Sequence, residues 1–173
     1  GNANINVRGG RSGEVLYIVD GVPQNDVYTG QNYSQVSNSA IEQLTFEIGG
    51  YEAKYGQAQS GIVNVTTKSG NPTYTFYADV MSSSFTDNYG FNQYTANLSG
   101  PIIPGVEGHT FFLSGERGWY LDGDPRALKV SFNSDVKKTF DYLPNMSSGV
   151  WRFTGRTNHS FGDFSLRLGA NIN

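Results

Sequence analysis

Beyond Asn71-Pro72 the sequence alternates apolar and polar residues with a period of two, segment after segment. Successive side chains of an extended strand point to opposite faces, so this period writes one greasy and one wet face onto each strand. Tyr74, Phe76, Ala78 and Val80 share one face against Thr75, Tyr77 and Asp79. Tyr94, Ala96 and Leu98 oppose Thr95, Asn97 and Ser99; Phe111 and Leu113 oppose Phe112 and Ser114 less cleanly; Trp151, Phe153 and Gly155 oppose Arg152, Thr154 and Arg156. The cleanest case sets Phe164, Leu166, Leu168, Ala170 and Ile172 against Ser165, Arg167, Gly169 and Asn171. The connections alternate in length, with a long stretch from Leu121 to Ser148 and a short turn over Ser160 to Asp163. This pattern predicts five antiparallel strands in an up-and-down meander, with segments about the 9–11 residues of a tilted membrane strand. A soluble sandwich or lipocalin-like barrel alternates in the same way, and the alternation alone does not say which face points inward.

Composition narrows the function classes. Charged residues make up 16% of the 173 and aromatics 14%, too little charge for a coiled coil or a charge-driven disordered chain. Twelve basic against fifteen acidic residues give a net charge of -3, without the basic excess of a nucleic-acid-binding surface. The absence of Cys excludes disulfides, thiolate zinc sites and a thiol nucleophile. The longest apolar run, Val15 to Val19, is far short of the roughly 20 residues of a membrane helix. Residue 1 is Gly and no signal-like segment follows, so the sequence reads as an excerpt.

Residues 1–70 are different in texture. Val15 to Val19 reads as a buried strand closed by the turn chemistry of Asp20-Gly21-Val22-Pro23. Asp26 to Ser37 reads as a loop. Ser39 and Glu42 have capping-box spacing and predict a short helical turn. Leu44 to Ile48 predicts a half-buried strand, Tyr51 to Tyr55 a short turn, and Gly61 to Thr67 a further strand. The expectation is a small α+β unit over 1–70, followed over 71–173 by the meander.

Several ordered motifs in the first part resemble the second half of the plug domain of TonB-dependent outer-membrane receptors. They are Val7-Arg8-Gly9-Gly10, Leu16 to Val19 with Asp20-Gly21-Val22-Pro23, Ile41-Glu42-Gln43-Leu44, Tyr55-Gly56, and Gly61-Ile62-Val63-Asn64-Val65-Thr66-Thr67-Lys68. The run Ala53 to Gly61 and the ending Thr67-Lys68-Ser69-Gly70-Asn71 are most similar to the Oar-like branch. The resemblance implies a mainly β fold: the C-terminal part of a plug, then the first strands of a transmembrane β-barrel of 22 strands around a plugged lumen. Phe46 to Gly50 lacks the Arg-Gly-Pro of many siderophore receptors, so no siderophore is carried over.

As plug motif residues the resemblance marks Arg8, Gly9, Asp20, Gly21, Tyr55, Gly56, Gly61 and Asn64. Lumen-facing Asp79, Arg152, Arg156 and Arg167, together with Glu116, become candidates to contact plug groups such as Asp20, Glu42 or Glu47; the alternative is that they line a wet lumen. Trp119, Tyr120 and Trp151 are expected at the membrane interface as girdle aromatics. The loop acids Asp122, Asp124, Asp135 and Asp141 lack EF-hand spacing, and no metal or cofactor is expected. His109 and His159 sit in no nucleophile motif and there is no phosphate loop, so an enzyme is not expected. The partners implied are outer-membrane lipid, TonB with ExbB and ExbD, a surface lipoprotein and a solute that the sequence does not name; nucleic acid is not among them. The implied function is energy-coupled uptake at the bacterial outer membrane, and the alternative is a structural or adhesive scaffold on the same fold.

Overall fold

A computed structural model describes residues 13–32, 35–48, 60–87, 89–123, 130–131, 139–140 and 146–173. Arg8, Gly9, Tyr55, Gly56, the Tyr51 to Tyr55 turn, and Asp124, Asp135 and Asp141 lie outside the described residues.

The N-terminal sheet has the order β2-β1-β4-β3, from β1 (Val15–Val19), β2 (Val22–Pro23), β3 (Ile41–Glu47) and β4 (Gly61–Thr67). β1 and β4 pair in parallel and hold the centre, which is why both read as near-continuous β-branched runs. Val15, Val19, Val63 and Val65 pack on one side of them, joined by Tyr17, Val36 and Ile41; Leu16, Ile18 and Ile62 pack on the other. Asp20 and Gly21 form the two-residue connection of β1 to β2, with φ of 50° and 85°. Positive φ at both positions is the primed hairpin turn for which Asp-Gly is suited. Beyond the short β2, the Asn25 side chain takes over the exposed edge of β1: Oδ1 accepts from Tyr17 N at 2.7 Å, and Nδ2 donates to Val15 O at 2.8 Å.

Two local expectations change. The turn at Asn38–Ala40 is a single 3-10 turn with no side-chain cap, and Glu42 lies in β3. Pairing of Ile41 onward with β4 holds that backbone extended and takes Glu42 out of capping reach. β3 is an edge strand whose Leu44 and Phe46 are exposed, and Ile48 just beyond it is exposed too, so it is not half-buried as its alternation suggests.

The second sheet is an antiparallel meander with the order β11-β10-β7-β6-β5. Its strands are β5 (Thr75–Ser82), β6 (Asn92–Pro101), β7 (His109–Tyr120), β10 (Ser148–Phe161) and β11 (Phe164–Ile172). A small hairpin of β8 (Val130–Ser131) and β9 (Thr139–Phe140) lies within the long connection. Register carries each predicted face across the sheet. Phe76, Leu98, Leu113, Gly155 and Ala170 lie in one cross-strand row, and Ala78, Ala96, Gly115, Phe153 and Ile172 in the next. Long connections gather at one end and short turns at the other.

The apolar face is the bare one. Phe76, Val80, Tyr94, Leu98, Leu113, Trp151, Phe153 and Leu168 are exposed, whereas Thr95, Asn97, Ser99, Ser114, Glu116, Thr154 and Arg156 are buried. The N-terminal sheet sits against that polar face. At the short-turn end Gly70 brings the chain across: a Cβ there would lie 2.6 Å from the Phe111 backbone, so only glycine allows the approach.

Candidate functional site

The polar face of the meander and the N-terminal sheet meet through two hydrogen-bonded clusters. In the first, the Asp20-Gly21 turn presents the Asp20 carboxylate to the end of β4. Thr67 N donates to Oδ1 at 2.9 Å and Thr67 Oγ1 to Oδ2 at 2.6 Å. From β10 the Arg156 guanidinium donates to Asp20 Oδ1 at 3.2 Å, to Thr67 O at 2.6 Å and to Thr67 Oγ1 at 3.2 Å. The side chains of Arg156 and Asp20 are 10% and 22% exposed, dry enough for a charge-assisted bond to exceed a surface ion pair. One cation of the meander thus holds both the turn and the last strand of the N-terminal sheet.

The second cluster surrounds Glu116, which is 4% exposed on β7. Ser37 Oγ donates to Oε2 at 2.5 Å, and Arg152 from β10 pairs with Oε1. The other arm of Arg152 donates to Gln35 Oε1. Next to it, Ser39 Oγ donates to Asn97 Oδ1 at 3.1 Å and lies 3.4 Å from Ser114 Oγ, while Asn97 Nδ2 donates to Ser39 O at 3.3 Å. These meander groups explain why Ser39 caps no helix: its hydroxyl is used across the interface.

Around these clusters the two sheets do not close tightly. A cavity of about 700 Å³ lies between them, with Tyr17, Gln35, Val36, Glu116 and Tyr120 in its lining. Another of about 660 Å³ is bordered by Ser39, Glu42, Lys68, Tyr77 and Asn97. An interface of polar contacts interrupted by gaps can separate without exposing a large apolar surface, since each released polar group finds water.

The expected contact residues divide. Arg156 meets Asp20, and Arg152 meets Glu116 and Gln35 rather than an N-terminal acid. Asp79 and Arg167 share the polar face but lie on the outer strands β5 and β11 and make no polar contact with the N-terminal sheet among the described residues. Glu42 and Glu47 make none to the meander among the described residues either. Gly61 opens β4 opposite Val15, and Asn64 pairs with Ile18 and Thr45 inside the sheet. Trp119 and Trp151 lie on the apolar face, where the Trp151 ring stacks on Phe153 and carries the Arg117 guanidinium 5.1 Å from its centroid. Tyr120 departs from the expectation: strand parity puts it with Glu116 and Gly118 on the polar side, where it borders the cavity. Adjacent strand residues cannot both face lipid. Gln35, Ser37 and Thr67 were not foreseen as contacts; for Ser37 and Gln35 no local pattern marks them out, whereas Asn97 and Ser114 already stood on the polar face.

Comparison with known proteins agrees with this architecture. Residues 1–63 match the TonB-dependent Receptor Plug Domain family. Over 70 residues the chain is 33% identical to the TonB-dependent transporter Oar of Myxococcus xanthus, covering 40% of this chain and 7% of that protein. Its fold is similar to that of the siderophore receptor PirA of Acinetobacter baumannii, with a TM-score of 0.59 at 20% identity over 97% of this chain. A variant of the ferric enterobactin receptor PfeA of Pseudomonas aeruginosa gives a TM-score of 0.60 at 18% identity over 96%. The chain spans 26% of each of those two structures.

Proposed function

We propose that this chain is part of a TonB-dependent receptor, a reading supported by the plug-domain match over residues 1–63 and the likeness to Oar, and that the whole protein takes up a solute across the bacterial outer membrane by TonB-driven displacement of its plug. The observation that carries the reading is the inverted meander, apolar outside and polar against the N-terminal sheet. A lipid-facing wall around a hydrated plug has that polarity, whereas a soluble barrel has its apolar side chains inside. Residues 1–70 act as plug and 71–173 as the first wall strands.

The Asp20–Arg156 and Glu116–Ser37 clusters hold the plug at rest and release it under load. TonB, energised by ExbB and ExbD, supplies that load, and the outer loops receive the solute, with or without a surface lipoprotein. PirA is by name a siderophore receptor and PfeA a ferric enterobactin receptor. At 20% identity and below, that likeness concerns fold, and the solute class is left open.

The test uses the lack of native thiols in the described residues. In the full-length protein, Ser39→Cys places a thiol at the plug–wall contact. Labelling by fluorescein maleimide in intact cells is expected to rise several-fold when TonB is present and energised. Equal labelling with and without TonB would overturn active uptake and leave the scaffold reading.

A further inference from the structure

On the apolar face of the meander, opposite the face that carries the described contacts with the N-terminal sheet, His109 of β7 and His159 of β10 stand directly across from each other. Their ring nitrogens Nδ1 and Nδ1 are 3.1 Å apart. The neighbouring pair, Gly108 and Ser160, is joined by a backbone bond from Ser160 N to Gly108 O at 2.9 Å. His109 and His159 therefore occupy the alternate, non-hydrogen-bonded site of the antiparallel ladder, where facing side chains come closest. Parity sets both imidazoles on the apolar face with Leu113 and Phe153, at the short-turn end of the strands. Phe161 flanks them, its ring 5.0 Å from that of His109 and 6.3 Å from that of His159.

We propose that this pair is a chelating site for a late divalent transition metal, with Zn²⁺ or Cu²⁺ as the favoured ions. Two imidazole nitrogens bound to one tetrahedral ion at about 2.0–2.1 Å stand roughly 3.3 Å apart, close to the spacing the strand register already imposes. Neutral imidazole suits Zn²⁺, Cu²⁺ and Ni²⁺ over the hard alkaline-earth ions. The strands pre-organise both ligands, so binding needs small ring rotations and no backbone change. Water or interfacial oxygen groups complete the coordination shell, because the pair lies beside the turns at the edge of the apolar band. The bound ion staples β7 to β10 at that edge.

The experiment is titration of the full-length protein in detergent micelles with ZnCl₂, followed calorimetrically, for wild type, His109→Asn, His159→Gln and the double variant. Barrel folding is checked in each by heat-modifiable gel migration. Wild type is expected to bind one Zn²⁺ equivalent more than any variant, or to bind that equivalent at least tenfold more tightly. The double variant is expected to behave like either single one, since one imidazole alone does not chelate. Unchanged isotherms in folded single variants would overturn the site, as would two independent, additive losses. Should one variant fail to fold, the other decides by the same criterion.

Discussion

The two sheets solve opposite problems with the same secondary structure. In the N-terminal sheet, β1 and β4 bury apolar side chains on both faces, with Val15 and Ile62 each 1% exposed. In the meander it is the polar face that is covered, Thr95 at 6%, Asn97 at 7% and Glu116 at 4%, while Phe76 stands 72% exposed. Hydrophobic burial thus holds the first sheet together internally, and directed polar contacts hold it to the second. The contrast teaches that cohesion and attachment are separated here. Under the proposed function the N-terminal sheet would move as a unit, and a dry interior with a polar boundary suits that, because apolar burial is non-directional and costly to reverse whereas polar contacts exchange readily with water.

The sharpest way to break the comparison is to truncate the dry interior. Ile62→Ala is expected to destabilise the N-terminal sheet by about 2–5 kcal/mol, seen as earlier proteolysis of the plug in the full-length protein with the barrel intact. An equal loss of barrel heat-modifiability would show that the two sheets fold as one.

Leu113, 50% exposed near the middle of β7, probes the other apolar surface. If that face meets lipid, Leu113→Lys costs about 2–4 kcal/mol in denaturant titrations in bilayers. A change near zero would place water there instead.

At the boundary, Arg156→Met removes three donated bonds to Asp20 and Thr67. We expect the plug–wall contact to weaken by about 1.5–3 kcal/mol, read as increased maleimide labelling of a Ser39→Cys background without TonB. The internal stability of the N-terminal sheet should change little.

The smallest effect concerns Asp26, in the loop after β2. Its carboxylate accepts from Thr29 N at 2.7 Å, from Thr29 Oγ1 at 3.0 Å and from Tyr28 N at 3.0 Å. The bond from the Thr29 backbone foremost, then that from its hydroxyl, holds the carboxyl below its ordinary value of 3.8. A depressed carboxyl stabilises the loop above its unfolded pKa, and the contribution is lost as pH falls through the folded value. Hydrogen exchange at Thr29 should therefore lose protection only below about pH 3.8, and Asp26→Asn should flatten that dependence.

The strands themselves were legible in the residues. The period of two from Tyr74 to Ile172, the β-branched runs of β1 and β4, and the Asp20-Gly21 turn all follow from local sterics, which act over a few neighbours and leave their mark in residue order. The same holds for the change of texture near residue 70. Which face of the meander is covered was not legible from alternation, which is symmetric under exchange of inside and outside until something is packed against it; the resemblance of residues 1–70 to a plug supplied the polar face as the covered one.

Residue order put Asp20 among the candidate partners of Arg156 but could not choose it over Glu42 or Glu47 across 136 positions, nor carry Ser39 away from a helix cap to Asn97, nor turn Tyr120 from the expected girdle toward the N-terminal sheet. Those outcomes depend on where two sheets dock and on how far the first reaches across the second. Asp79 and Arg167 show the limit: they carry the right chemistry on the right face, but on the outer strands of the meander, where they form no polar contact with the N-terminal sheet among the described residues. Local periodicity determined the elements and their two-sided character, while only tertiary docking, through distance-dependent hydrogen bonds and charge pairs, decided which polar side chains became contacts.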